Sequence, residues 1–170
     1  MGIFDFLKPT KDITTGTGIN ERYYDDGQGE IWKRWLEKNG NLHGFYEVWY
    51  RNGKLKLKGE YRNNKLYGNT KMYHENGQLK SEGPITGDTR EGKYKEYDKT
   101  GKLVRECDWE NDVISKTIVY WENNQVLLEI IIDIETKKTV STKCWDRNGE
   151  RISSDNPEVV NYLNQFTGNE

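Results

Sequence analysis

Between Gly44 and Trp109 the chain is a succession of short runs in which Tyr, Trp, Val or Leu alternates with Lys or Glu. That alternation is the pattern of a half-buried strand. The runs recur at a constant step. Gly44, Gly68 and Gly92 are 24 residues apart, and so are Gly53, Gly77 and Gly101. Leu55, Leu79 and Leu103 keep the step, as do Trp49, Tyr73 and Tyr97. Extrapolation reaches Trp121 and Leu127, then Trp145 and Gly149; backward it reaches Gly29 and Ile31, with Leu42 in the column of Leu66. A fixed period in this range marks a repeat array. The register is expected to hold from Asn20 to Ile152 without insertion. The later copies are degraded: Lys116 and Val140 replace the first glycine, and Gln125 replaces the turn glycine.

Each copy predicts a hairpin. Asn52-Gly53, Asn76-Gly77 and Asn148-Gly149 suit a type I′ turn, in which both central residues take positive φ; Asn39-Gly40 and Thr100-Gly101 are looser versions. The expected fold is all-β: an elongated single-layer antiparallel meander of about six 24-residue hairpin repeats, followed by a short C-terminal capping helix. A dozen strands at ~4.8 Å spacing give a sheet on the order of 55 Å long. Residues 1–19 read as an apolar segment (Ile3, Phe4, Phe6, Leu7) and a linker, residues 20–152 as the repeats, and residues 153–170 as the helix and tail.

One stretch breaks the pattern. Lys54, Lys56, Lys58, Glu60 and Arg62 alternate along one face of a strand. Three steps later the same columns hold Val126, Leu128, Ile130, Ile132 and Ile134. An aliphatic stripe of that size needs a cover. Asn156 followed by Pro157 is a helix-start signal. Val159, Val160, Leu163 and Phe166 then recur at helical spacing, so this helix is expected on the stripe, as a cap or as part of an interface. By the same logic the Ile3 to Leu7 cluster would cover Trp32 and Leu36.

The pattern Tyr-x-x-Asn-Gly-x-Leu-x-x-x-Gly-x-Tyr, read from Tyr73 to Ile85 and from Trp49 to Tyr61, resembles the bacterial variant of the MORN repeat. More narrowly it is similar to the YwqK-type proteins known as antitoxins. Leu42-His43-Gly44 matches the family's glycine-closing turn. The resemblance covers about three quarters of the chain. It implies an antiparallel hairpin array that acts as a scaffold or binding surface.

Composition fits such an array. Only 33% of the 170 residues are hydrophobic and 32% are charged, too few aliphatics for a compact core, whereas 17 Gly, 6 Trp and 11 Tyr argue against disorder. The net charge of −2 favours neither nucleic acid nor a membrane overall. Charge is uneven, however: +6 from Arg51 to Lys80 and −6 from Glu82 to Glu135. Arg51, Lys54, Lys56, Lys58 and Arg62 are therefore the candidate partner-binding surface, by steering of a charged partner. Cys107 and Cys144 fall on strands three spacings apart, about 14 Å, too far for a disulfide. Separated thiols suit a reducing cytoplasm. Neither a secretory signal nor a run of 18 apolar residues is visible.

Catalysis has little support. His43 and His74 lie in different columns, and no Cys/His set has metal spacing. The column Trp49, Tyr73, Tyr97, Trp121, Trp145 reads as a structural ladder, with sugar stacking as the lesser alternative. The expectation is a non-catalytic protein-binding protein without cofactor or metal, of the antitoxin or immunity type; the alternative is a structural scaffold or lipid-associated MORN-type module.

Overall fold

The computed structural model describes residues 16–24 and 29–167. Strands β1 (Gly18–Tyr23), β2 (Ile31–Lys38), β3 (Asn41–Trp49), β4 (Leu55–Arg62), β5 (Lys65–Tyr73) and β6 (Leu79–Thr86) come first. They are followed by β7 (Thr89–Arg90), β8 (Gly92–Tyr97), β9 (Leu103–Glu110), β10 (Val113–Tyr120), β11 (Val126–Ile132), β12 (Thr139–Trp145) and β13 (Arg151–Ile152). Helix α1 (Pro157–Thr167) ends the described chain. All 13 strands form one open antiparallel sheet in which sequence neighbours are spatial neighbours, with the short β7 branching off β6. The meander expected from the repeat is therefore present. The Ile3 to Leu7 cluster, expected to cover Trp32 and Leu36, lies outside the described residues.

The two edges of the ribbon use different turns, and of the Asn-Gly dipeptides only Asn39-Gly40 has the type I′ signature. Among the central dipeptides of the first repeats, both residues have positive φ at Asn39-Gly40, Asn63-Asn64, Gly87-Asp88 and Asn111-Asp112. At Asn52-Gly53 and Asn76-Gly77 only the glycine does. There the Gly53 N–H bonds Tyr50 O at 3.0 Å and the Tyr50 N–H bonds Lys54 O at 2.8 Å, a wider turn closed by a left-handed glycine. Asparagine serves this turn through its side chain. Asn76 Oδ1 accepts the Gln78 N–H, while its amide donates to Lys99 O one repeat on; Asn52 and Asn123 do the same toward Glu75 and Arg147. On the opposite edge Asn64, Asp88 and Asp112 accept the N–H groups of Leu42, Leu66 and Arg90 at 2.8 Å, and return their own N–H to the carbonyls of the same residues. Both edges are thus stitched repeat to repeat.

Gly44, Gly68 and Gly92 do not close turns either. They sit inside bulges with φ of 101°, 80° and 80°. Asn69 and its neighbours Gly68 and Thr70 lie opposite Gly59 alone, because Lys58 pairs with Lys71 and Glu60 with Tyr67. Such bulges bend a strand. The bend brings Leu42 and Leu66 into one buried cluster with Trp35, Tyr46, Val48, Leu57, Tyr61 and Ile85. The Gly44 backbone passes so close to β2 that a Cβ there would lie 2.8 Å from a Leu36 methyl.

The fourth and fifth bulges differ, and this corrects the register. In β10 only Ser115 is extra, between the pairs Ile114–Trp109 and Lys116–Asp108. The next turn therefore opens at Trp121, 23 residues after Asp98, rather than at position 122. The bulge in β12 is also one residue short, but the turn from Asp133 to Lys138 is two residues longer, so the following turn opens at Asp146, 25 residues on. Two corrections follow. The ladder column is Trp49, Tyr73, Tyr97, Tyr120 and Trp145; Trp121 belongs with Tyr50 and His74. And Val126, Leu128, Ile130 and Ile132 continue the columns of Leu55, Leu57, Gly59 and Tyr61. The charged columns of Lys54 to Arg62 continue instead into Gln125, Leu127, Glu129, Ile131 and Asp133, so that face did not become wholly aliphatic, and Leu128 pairs with Val119 and Cys144 on the ordinary apolar face.

Helix α1 packs at the turn that opens at Trp121. Asn156 caps it by accepting the Glu158 N–H at 2.9 Å. Val159 and Tyr162, three residues apart, are buried with Val119, Trp121, Leu127, Leu128 and Cys144, and Ile130 packs at the margin. The Tyr162 ring meets Trp121 edge-on at 4.7 Å, and its hydroxyl donates to Tyr120 O at 2.9 Å. Of the expected stripe, Leu128 belongs to the same buried cluster as Val159 and Tyr162, while Val160 faces outward. Full burial of a side chain such as Leu127 is worth about 1.5–3 kcal/mol.

Candidate interaction surface

Alternation along each strand leaves the second face polar, and there the cross-strand partners form a single row. Glu21 pairs with Arg34, Arg34 with Glu47, Glu47 with Lys58, and Lys58 with Lys71. The row continues through Glu82, Lys95, Glu106, Ile118, Glu129 and Lys143. Ion pairs link its members: Arg34–Glu47 at 2.9 Å, Lys58–Glu47 at 3.3 Å, Lys71–Glu82 at 3.2 Å and Lys143–Glu129 at 3.3 Å, and Lys116 joins Glu129 from beside the row at 2.7 Å. Pairs of this kind at a surface are individually worth about 0–1 kcal/mol.

Beside this charged row runs the half-buried aromatic row Trp49, Tyr73, Tyr97, Tyr120 and Trp145. The two rows interlock. The Arg34 guanidinium lies 5.5 Å from both the Phe45 and Trp49 rings. Tyr97 donates to Glu82 at 3.2 Å, and Tyr120 donates to Glu106 at 3.1 Å. Burial, then the hydrogen bond and charge of Glu106, push the Tyr120 phenol up to about 12. Burial opposes ionisation of Glu82, but Lys71, Tyr97 and Asn69 outweigh it and hold the carboxyl below its ordinary value.

The five bases singled out from sequence are all engaged within the chain. Arg51 lies 4.8 Å over the Tyr24 ring, and Lys54 donates to Asn76 O at 2.7 Å. Lys56 sits 5.4 Å over Tyr50, Lys58 pairs with Glu47, and Arg62 pairs with Glu60 at 3.1 Å while stacking on Tyr67. The turn-edge bases Arg51, Lys54 and Lys56 are drawn onto the rim of the ribbon, and Lys58 and Arg62 stay on the polar face. The rows themselves were legible in outline. Glu47, Lys71 and Lys95 keep the 24-residue step, as do Lys58, Glu82 and Glu106. Pairing these two columns across the hairpin would have generated the row.

His74 is structural: its Nε2 lies 2.9 Å from Tyr97 O, the contact that Tyr50 and Trp121 make to Tyr73 O and Trp145 O. Cys107 and Cys144 are buried free thiols. Among the described residues no group of three or more His, Cys, Asp or Glu could hold a metal ion. Among the same residues no helix is long and apolar enough to cross a membrane.

Comparison with known families bears on the middle of the ribbon. Three of its hairpin units match the MORN repeat variant. The matched segments are residues 42–63, 66–85 and 90–111. Each begins near a glycine bulge, so the motif describes the bulge, the hairpin and the second strand together. The MORN repeat is a non-enzymatic repeat module. No curated protein matches the chain. A crystal structure of a protein of unknown function from Bacteroides fragilis is similar at 13% identity over 76% of this chain and 93% of that one, with a TM-score of 0.18.

Proposed function

We propose that this chain is a non-catalytic binding protein of the antitoxin or immunity type, which neutralises a protein toxin by covering its surface. The observation that supports this reading is the polar face, where half-buried Trp and Tyr side chains stand in line beside a row of charges of both signs. Aromatic residues and Arg are the types that dominate binding energy at protein interfaces, and charge rows set orientation and encounter rate. A sheet stitched at both edges supplies the rigid platform that makes such a face cheap to bind. Two buried, separated thiols are in keeping with a reducing compartment such as the cytoplasm.

The test is co-expression with the products of the adjacent reading frames. One of them should arrest growth alone and be tolerated with this chain. A triple variant Trp49→Ala, Tyr73→Ala, Tyr97→Ala that stays folded by circular dichroism should lose protection. If no neighbour is toxic, or the variant protects as well as the parent, the reading fails.

A further inference from the structure

The ladder of the sheet is weakest between β6 and β8. Only Ser81–Glu96 and Glu82–Lys95 pair there, against five or more pairs at the other long-strand junctions. The cause is local. Pro84 has no N–H to give, and the strand opposite is interrupted at Glu91. The Tyr94 ring lies against Gly83, and the Tyr94 hydroxyl takes over by donating to Pro84 O at 2.8 Å. The two strands part on the polar face and leave an open pocket of about 280 Å³ lined by Asn69, Glu82, Gly83, Pro84, Lys93 and Lys95.

The charges in this pocket are unequally satisfied. Glu82 is surrounded by Lys71 at 3.2 Å, the Tyr97 hydroxyl at 3.2 Å and the Asn69 amide at 3.4 Å. Lys93 and Lys95 instead share Glu106 at 4.0 and 3.7 Å, and Lys93 reaches Asp108 at 3.5 Å. Tight pairs elsewhere in the chain close to 2.7 Å. A lysine ammonium carries three N–H donors. The two lining the pocket are held by long ion pairs, with no hydrogen bond among the described residues.

We propose that this pocket anchors a carboxylate side chain presented by the protein partner. The inference rests on the protein-binding reading above and supplies its chemistry. The surroundings agree. Strands β4 to β8 present Lys58, Arg62, Lys71, Lys93 and Lys95 on the polar face against Glu60 and Glu82, whereas β9 presents Glu106, Asp108 and Glu110 with no base between them. A partner with an acidic segment over the pocket and basic residues just beyond it matches both halves.

The experiment is a nuclear magnetic resonance titration of the full chain at low salt. The probes are a short peptide of alternating Glu and Gly, its Gln counterpart, inorganic phosphate and anionic phospholipid vesicles. The Glu peptide should shift the Gly83, Lys93 and Lys95 amides saturably and the Gln peptide should not. Lys93→Gln with Lys95→Gln should weaken the peptide about fivefold, the scale of two exposed ion pairs, without moving the thermal midpoint. Asn69→Asp, which adds a carboxylate to the pocket, should weaken it too. Three results would overturn the proposal: an equal response at Lys54, Lys58 and Lys80, unchanged binding by both variants, or tighter saturation of these residues by phosphate or vesicles. A toxin bound equally by the Lys93/Lys95 variant would sink the pocket and spare the protein-binding reading. Peptide binding with no toxic neighbour would do the reverse.

Discussion

Gly83→Ala tests how the apolar face is packed. Gly83 does not have positive φ, so its backbone tolerates any residue, and only space excludes a side chain. A Cβ there would lie 2.4 to 2.5 Å from three atoms of the Tyr94 ring. The ring has little room to retreat. Its hydroxyl is bound to Pro84 O, and it packs edge-on against Trp109 at a centroid distance of 6.2 Å. Overpacking of this kind costs about 1–3 kcal/mol. The smaller unfolded-state entropy of alanine returns about 0.4–1 kcal/mol. The net loss is then roughly 0.5–2 kcal/mol, a fall in Tm of about 1–8 °C for a chain of this size. Urea and thermal melts followed by circular dichroism measure it. The decisive comparison is a double-mutant cycle with Tyr94→Ala: once the ring is gone, Gly83→Ala should be neutral or stabilising. Additive costs in the cycle, or a Gly83→Ala single variant more stable than the parent, would refute the packing argument.

Other outcomes follow from the same geometry. Asp88→Ala should cost about 1–2 kcal/mol, since it removes the acceptor for Leu66 N–H and leaves a β-carbon at φ of 75° without side-chain support; Asp88→Asn should be nearly silent, because Asn64 does the same work one repeat earlier, and a melt comparing the two variants decides. Tyr162→Ala should lose about 2–4 kcal/mol with the ring that covers Trp121, and tryptophan fluorescence should shift to the red; unchanged emission would show that α1 is not the cover. Asp98 and Glu129 are held below the ordinary carboxylate values: at Asp98, burial is outweighed by donors from Thr100 and Lys102, and at Glu129, Lys116 and then Lys143 outweigh burial. Depressed carboxyls stabilise the fold fully above their unfolded values of 3.8 and 4.5 and lose that contribution as pH falls through the folded ones. Urea midpoints should thus fall on acidification below about pH 4.5, and Asp98→Asn should flatten that fall.

Much of this was legible along the chain because a meander pairs strands that are neighbours in sequence. The step between Gly53, Gly77 and Gly101 located the hairpins, and Asn156-Pro157 located the helix start. The type of turn was not legible: Asn-Gly satisfies both a type I′ turn and the wider turn, and the choice lies in whether the asparagine amide reaches the next repeat, as Asn76 reaches Lys99. The site was half legible. Periodic charges at Glu47 and Lys71 were in view, but Tyr120 was hidden behind Trp121 by a one-residue slip. Sequence selected the five bases by charge density, and structure shows what each base already holds.

By itself the sequence determined the architecture, since alternation with period two and a fixed glycine spacing leave an antiparallel ribbon as the arrangement that buries one side of every strand. Tertiary structure alone decided which residues share a face after Ser115 and where the ladder opens. A bulge is a difference between two strands, two or three residues on one against one or none on the other. That difference exists only once they are paired, and it moves every later side chain.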